Sequence, residues 1–199
     1  MGLRVLLRKR RNVYNFLVKP VPGELLKSIL EDSVHVPSAG FTQDFDLVVV
    51  RDKETRAKLA AASFEDEYVK KGEVKRGFVS SAPVIVVPCG NKSRFESKYG
   101  SPADKTARAP WWLIDAGFAS LALILSAYEK GLAGSFLGAI DDEKVTRILG
   151  LPRDGSIVPL GMILLGCART QSRAKAQARV KAVKKRRIRS DDLIHWEGW

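Results

Sequence analysis

The stretch LIDAGFASLALILSAYEK (residues 113–130) decides the reading of this chain. From 118 to 128 every position is apolar, aromatic or a small hydroxyl residue, so no polar stripe divides it. That pattern predicts a helix buried on all sides, closed by Gly131 at its C-cap. The apolar core of the stretch is about half the length a bilayer requires, which marks a core helix rather than a membrane span. At 199 residues the chain is expected to be one domain. Such a chain has little room to wrap a central helix on every face, and a subunit interface would supply the missing cover.

Working outward, GLAGSFLGAIDDEKV follows. Gly131, Gly134 and Gly138 predict a loop that lets backbone approach something closely. Asp141 or Asp142 is the expected N-cap of a helix running to about Leu149, with a turn at 152–155. IVPLGMILLGCA (157–168) reads as one apolar strand, and the closing DDLIHWEGW as a short strand candidate. In the other direction, residues 89–110 are rich in Gly, Ser, Lys and Pro without periodicity, and a long irregular segment is expected. PVIVVP (83–88) and FDLVVVR (45–51) read as buried strands. Residues 53–62 read as a helix with Leu59 inward, and 64–77 as a lid or short exposed helix. Pro22-Gly-Glu opens a helix with Leu25, Leu26, Ile29 and Leu30 on one face. VPSAGFTQ (36–43) is built from turn residues. Leu3, Leu6 and Leu7 predict an N-terminal helix, on whose leucine stripe Arg10 also falls. Either that helix has ended by Arg10, or an anion waits for it. Helices and strands are mixed without regular βαβ alternation, so the expected class is α+β.

Composition narrows the function classes. Apolar residues at 45% and charged residues at 28% exclude wholesale disorder, a collagen repeat and a disulfide scaffold. The net charge is +12, but residues 168–190 hold ten Lys/Arg and no acid, which leaves the remainder close to balance. Two separated cysteines, Cys89 and Cys167, and no Cys/His cluster point away from a metal site and toward a reducing, cytoplasmic setting. The N-terminus lacks the apolar run and cleavage site of a signal peptide. No GxSxG, GxGxxG or GxxxxGK[ST] occurs. His35, before a proline turn, and His195, among aromatics, read as structural. An enzyme with so few catalytic side chains leaves the hard chemistry to a bound cofactor. The chain does offer anion-binding groups: Arg10, Arg11 and Asn12 early, and Arg186, Arg187 and Arg189 late. The basic tract as a whole reads as solvated surface.

Six segments together resemble the FMN-dependent nitroreductase family. RRNVYNF (10–16) is similar to its RRSxRxF opening, and VPSAGFTQDFDLVVV (36–50) to its PSagNxQPwxfvvv segment. DAGFASLALILSAYEKGLAGSFLGAID (115–141) resembles the family's central helix and following loop. VTRILGLP (145–152), LGMILLGCA (160–168) and LIHWEGW (193–199) resemble its later helix, strand and closing strand, all in the family's order.

The resemblance implies one FMN-binding domain over 1–199, with 168–190 as a basic arm and 191–199 as a C-terminal strand. The implied fold has a mixed or antiparallel sheet flanked by helices, in an intertwined homodimer with FMN at the interface. Arg10, Arg11 and Asn12 would contact the FMN phosphate and ribityl chain. Pro37, Ser38, Ala39, Gly40 and Gln43 would come from the other subunit. Leu137 and Gly138 would lie against the flavin ring, and Arg187 and Arg189 would close on the phosphate. NADH or NADPH would give hydride to flavin N5, and a nitroaromatic or quinone would collect it in a ping-pong cycle without a catalytic side chain. The chain departs from the pattern at Asn12 for Ser, Tyr14 for Arg, Phe41 for Asn, Asp44 for Pro and Phe136 for Trp. Flavin fragmentation and reductive dehalogenation on the same fold are alternatives. A nucleic-acid binder using 168–190 is another, though the tract lacks interleaved aromatics for base stacking. Neither membrane nor nucleic acid is an expected partner.

Overall fold

The computed structural model describes residues 2–71, 77–100, 109–169 and 186–199. At its centre lies β2 (Val84–Asn91), buried along its whole length. It pairs antiparallel with β1 (Phe45–Val50), setting Phe45 opposite Gly90 and Val50 opposite Ile85. Its other edge meets β4 (Ile157–Pro159) and then β5 (Met162–Gly166). β5 in turn pairs with β3 (Ala133–Leu137), so the order is β1–β2–β5–β3. All four ladders are antiparallel, and Asn12 adds one parallel bridge to Gly134.

Successive side chains of a strand point to opposite faces. Val84 and Val86 therefore join Ile163 and Leu165 on one side, against Leu26 and Ile29 of α2 (Gly23–Ser33) and Leu123 and Ile124 of α6 (Trp111–Glu129). Ile85, Val87 and Cys89 join Met162 and Leu164 on the other. There they meet Leu59 of α3 (Lys53–Ala61), Val145 of α7 (Asp142–Leu149) and Phe78. Helices on both faces explain why β2 is apolar at both parities. Each fully buried aliphatic side chain contributes roughly 1.5–3 kcal/mol.

At 19 residues α6 is long and apolar enough to cross a membrane. It is instead a core helix, packed against α2, β1, β2 and β3, with Asp115, Ser120 and Ser126 buried along it. Its burial is not complete on every face. Phe118 is 44% exposed and Leu121 48%, so one strip stays open. α1 (Leu3–Lys9) packs on α6 and buries Leu6, while Leu3 and Leu7 remain exposed. Arg10 departs from the helix at ψ 134°, so it does not sit on the leucine stripe; the helix has ended.

Four expectations need correction. Residues 89–99 are ordered: β2 continues to Asn91, whose Oδ1 accepts the Arg94 N–H at 2.9 Å and caps α5 (Lys92–Tyr99). The glycine-marked segment 131–138 contains strand β3 rather than a loop. The single strand expected over 157–168 is two, broken at Gly161. There φ is +153°, and a Cβ would fall 2.6 Å from the Leu137 carbonyl oxygen, so only glycine can make the corner. The C-terminal residues form a 3-10 turn at Ser190–Asp192 followed by irregular backbone, not a strand. Between 64 and 77 the polar segment supplies the short helix α4 (Glu65–Lys70).

All these helices and strands lie in a unit spanning Met1–Ala168. A second unit, Arg169–Trp199, holds the 3-10 turn, and in it the His195 ring stacks on Trp199 at 4.4 Å between centroids. Most of the basic tract lies outside the described residues.

Candidate functional site

Beyond α1 the chain runs extended along the sheet. Asn12 bridges Gly134, Phe16 bridges Ala168, and Ser135 Oγ donates to the Val13 carbonyl at 2.8 Å. This stitching fixes three polar side chains. Arg10 Nη1 donates to Asn12 Oδ1 at 2.8 Å, and Asn12 Nδ2 to the Tyr14 hydroxyl at 3.3 Å. Arg11 Nη1 donates to the carbonyls of Arg8 at 2.6 Å and Arg10 at 2.9 Å. Every acceptor that these two guanidiniums meet among the described residues is neutral, and the first 23 residues contain no Asp or Glu. Two guanidiniums and an amide, held in place without an acidic partner among the described residues, suit a phosphate. Leu137, almost fully buried, and the exposed Gly138 follow at the far end of the strand that Asn12 joins.

The second group of expected residues is the 38–43 loop. Ser38 Oγ accepts the Gln43 N–H at 2.9 Å, and Thr42 Oγ1 donates to the Ala39 carbonyl at 2.6 Å. Gly40, Phe41 and Gln43 all have left-handed backbone, φ 53°, 58° and 51°. A non-glycine residue in that region costs about 1–3 kcal/mol and persists only where its surroundings impose it. Here α5 and α6 impose it. Lys98 Nζ donates to the Gly40 carbonyl, and Arg94 Nη1 to those of Gln43 and Phe45. Arg94 Nη2 also pairs with Asp46 Oδ1 at 2.9 Å. The Tyr99 hydroxyl occupies the place a Cβ on Gly40 would take, so a larger residue there would have to displace the Tyr99 ring. From α6, Asp115 Oδ2 accepts the Ala39 N–H at 2.8 Å. Phe41 is pushed outward and is 76% exposed; Pro37 is exposed as well.

Arg94, Lys98, Tyr99 and Asp115 escaped the sequence reading. A lone acid opening an otherwise apolar helix was the available signal for Asp115. The α5 residues had none, because that helix is polar and barely amphipathic. Behind the loop lies Asp44, fully buried, with neither carboxylate oxygen hydrogen-bonded among the described residues. Burial first, and neighbouring Asp115 second, push its carboxyl up to about 7.

The two groups are anchored at different stations of α6. A Cβ on Gly134 would meet Ile124, nine residues beyond Asp115, which is about 14 Å along the helix. Arg187 and Arg189 belong to the second unit and are exposed, with Arg189 Nη2 on Asp191 Oδ2 at 3.2 Å. A cleft of about 370 Å³ between α7 and β4, lined by Asp142, Glu143, Arg147 and Arg153 among others, holds none of these residues.

Comparison with known proteins bears on what binds here. Residues 7–167 match the profile of the Nitroreductase family. The chain is 30% identical over 169 residues to an NADH dehydrogenase of Thermus thermophilus, covering 76% of this chain and 80% of that one. It is 26% identical over 164 residues to a putative NADH dehydrogenase/NAD(P)H nitroreductase of Methanothermobacter thermautotrophicus, covering 80% and 74%. Among solved structures, a nitroreductase family protein from Clostridium difficile superposes over the full length of both chains with TM-score 0.78 at 21% identity. The NADPH:FMN oxidoreductase of Vibrio harveyi, solved with NAD+, superposes with TM-score 0.75 at 22% identity, over 98% of this chain and 76% of that one.

Proposed function

The chain belongs to the nitroreductase family and is an FMN-dependent NAD(P)H oxidoreductase; from that premise we propose that its acceptor is a small nitroaromatic or quinone, served in ping-pong order with the nicotinamide donor, and that it works as a homodimer. Hydride acceptance and release at N5 is the chemistry that FMN would supply when bound. The chain itself binds, orients and shelters.

Arg10 and Arg11 hold the phosphate in this reading, with Arg187 and Arg189 closing on it, and Asn12 serves the ribityl chain. Leu137 and Gly138 offer backbone groups to the ring. A second copy contributes Pro37, Ser38, Ala39, Gly40 and Gln43. No side-chain acid or base is needed in this reading.

Three features of the single chain support a partner copy. Leu3 and Leu7 on α1 and Phe118 and Leu121 on α6 leave apolar surface open. β1 is an edge strand, with Val49 exposed. Leu193, Ile194, Trp196 and Trp199 are exposed as well.

The Arg10–Arg11–Asn12 cluster carries the FMN reading. Its test is paired fluorescence titrations with FMN and with riboflavin, which lacks the phosphate. FMN is expected to bind at micromolar concentration or below, and riboflavin at least tenfold more weakly. Equal affinities, or no binding of either, refute the assignment.

A further inference from the structure

Asp44 is the departure from the family pattern that the fold treats most unusually. A buried carboxylate normally carries hydrogen bonds or a counter-ion. This one has neither among the described residues. The group facing it is Asp115, itself 1% exposed and already accepting the Ala39 N–H. Among the described residues, the other charged and polar groups around it are chiefly engaged elsewhere. Asp46 on β1 is held by Arg94 and by Asn91 Nδ2, the latter at 2.6 Å. On α5, Arg94 and Lys98 are spent on loop carbonyls, and the Tyr99 ring packs on Phe95 at 5.0 Å. The Thr42 hydroxyl donates to Ala39 and also faces Asp44, drawing its carboxyl down by less than burial and Asp115 push it up. β2 contributes Gly90, Asn91 and the Cys89 thiol, which burial pushes up to about 12. Among the described residues no cation neutralises the pair. Two adjacent buried carboxylates cannot both stay ionised without strong repulsion, whereas a single proton converts that repulsion into a hydrogen bond.

We infer that Asp44 and Asp115 hold one proton between them, and that this shared proton positions the 38–43 loop, so that flavin retention weakens as pH rises through neutrality. The proton sits on Asp44 and points to Asp115, and Asp115 keeps its bond to the Ala39 amide. Losing that proton to solvent leaves two like charges in contact. The pair then relaxes by movement of the loop segment that Asp115 tethers. Both are positioning residues: Asp44 acts through Asp115, and Asp115 acts through the backbone of Ala39. The flavin clause rests on the proposed function; the shared proton does not.

Infrared spectra of the flavin-free protein test the proton directly. A carboxylic-acid carbonyl band is expected at pH 6, lost at pH 9, and absent from Asp44→Asn at both. FMN titrations test the consequence. For the wild-type chain the Kd is expected to rise about tenfold from pH 6 to pH 9, as for a proton held about one pKa unit more tightly in the flavin-bound form. Asp44→Asn keeps a donor toward Asp115 but has no proton to lose, and its Kd is expected to change less than twofold beyond what riboflavin shows. Should Asp44→Asn not fold, Asp115→Asn serves, and the acid band then disappears at lower pH than in the wild type. Absence of the band at pH 6 overturns the shared proton. Equal pH dependence in wild type and Asp44→Asn overturns its link to the loop. Failure to bind FMN at every pH refutes the proposed function and the flavin clause with it, while the band still decides the proton.

Discussion

Replacing Asp44 with Asn changes stability in a way that depends on pH, and the size follows from the site. In the folded chain the Asp44 carboxyl titrates near 7 rather than at the ordinary 3.8, because it is buried and beside Asp115. Between those two pH values the folded chain keeps a proton that the unfolded chain has released. The wild-type fold therefore has its full stability below the ordinary value, loses it steadily as pH rises toward 7, and stays level above. The displacement corresponds to about 4 kcal/mol at most. Asp44→Asn carries no such penalty, since its amide is neutral throughout. The stability of the variant relative to wild type is thus expected to grow by about 2–3 kcal/mol between pH 5 and pH 8. Urea denaturation of both flavin-free proteins at several pH values measures this, and titrations of groups that do not interact with Asp44 cancel in the difference. A gap that stays constant with pH, or that narrows, refutes the reasoning.

Gly161→Ala is expected to cost about 1–3 kcal/mol, seen as a lower Tm, because its Cβ would press on the Leu137 carbonyl 2.6 Å away. Leu121→Glu, on the open strip of α6, is expected to yield a 22.0 kDa particle by light scattering, and the parent chain, as the proposed homodimer, twice that mass. Arg187→Ala and Arg189→Ala are each expected to weaken FMN binding about tenfold or more, as loss of a charge-assisted bond to phosphate does. Neutralising Lys175, Arg179 and Lys181 together is expected to do far less, because the sequence pattern predicts that they face solvent, where a charge contributes little.

The parts of the fold legible in the sequence are those where one local pattern dominates. β1 and β2 announce themselves through the β-branched runs at 48–50 and 84–87, and α6 through the apolar stretch 118–128 that carries no charge. Asp141 was readable as a cap because it precedes an amphipathic helix, and it does accept the Lys144 N–H at 3.0 Å. Elements whose residues answer to distant contacts were hidden. Gly90 reads as a loop residue, yet it lies inside β2 because Trp112 packs where a side chain would be. Gly134 likewise marks a strand that Asn12 and β5 approach closely. The break at Gly161 depends on the Leu137 carbonyl, which is far away in sequence. In the candidate site, the donors at Arg10, Arg11 and Asn12 and the turn chemistry of Ser38, Gly40 and Thr42 could be read directly. Their supports could not. Arg94 and Lys98 look like ordinary surface cations on a short polar helix, and only the fold brings them under the 38–43 loop.

Anaerobic reduction of the FMN-loaded protein tests the central claim most directly. Protein freed of excess flavin is mixed with NADH or NADPH without oxygen, and the visible flavin band is followed before and after a quinone is added. The account predicts that one or both nicotinamides bleach the bound flavin and that the quinone restores its colour. Protein that retains FMN but keeps its colour with both donors, or that cannot retain FMN at all, contradicts it.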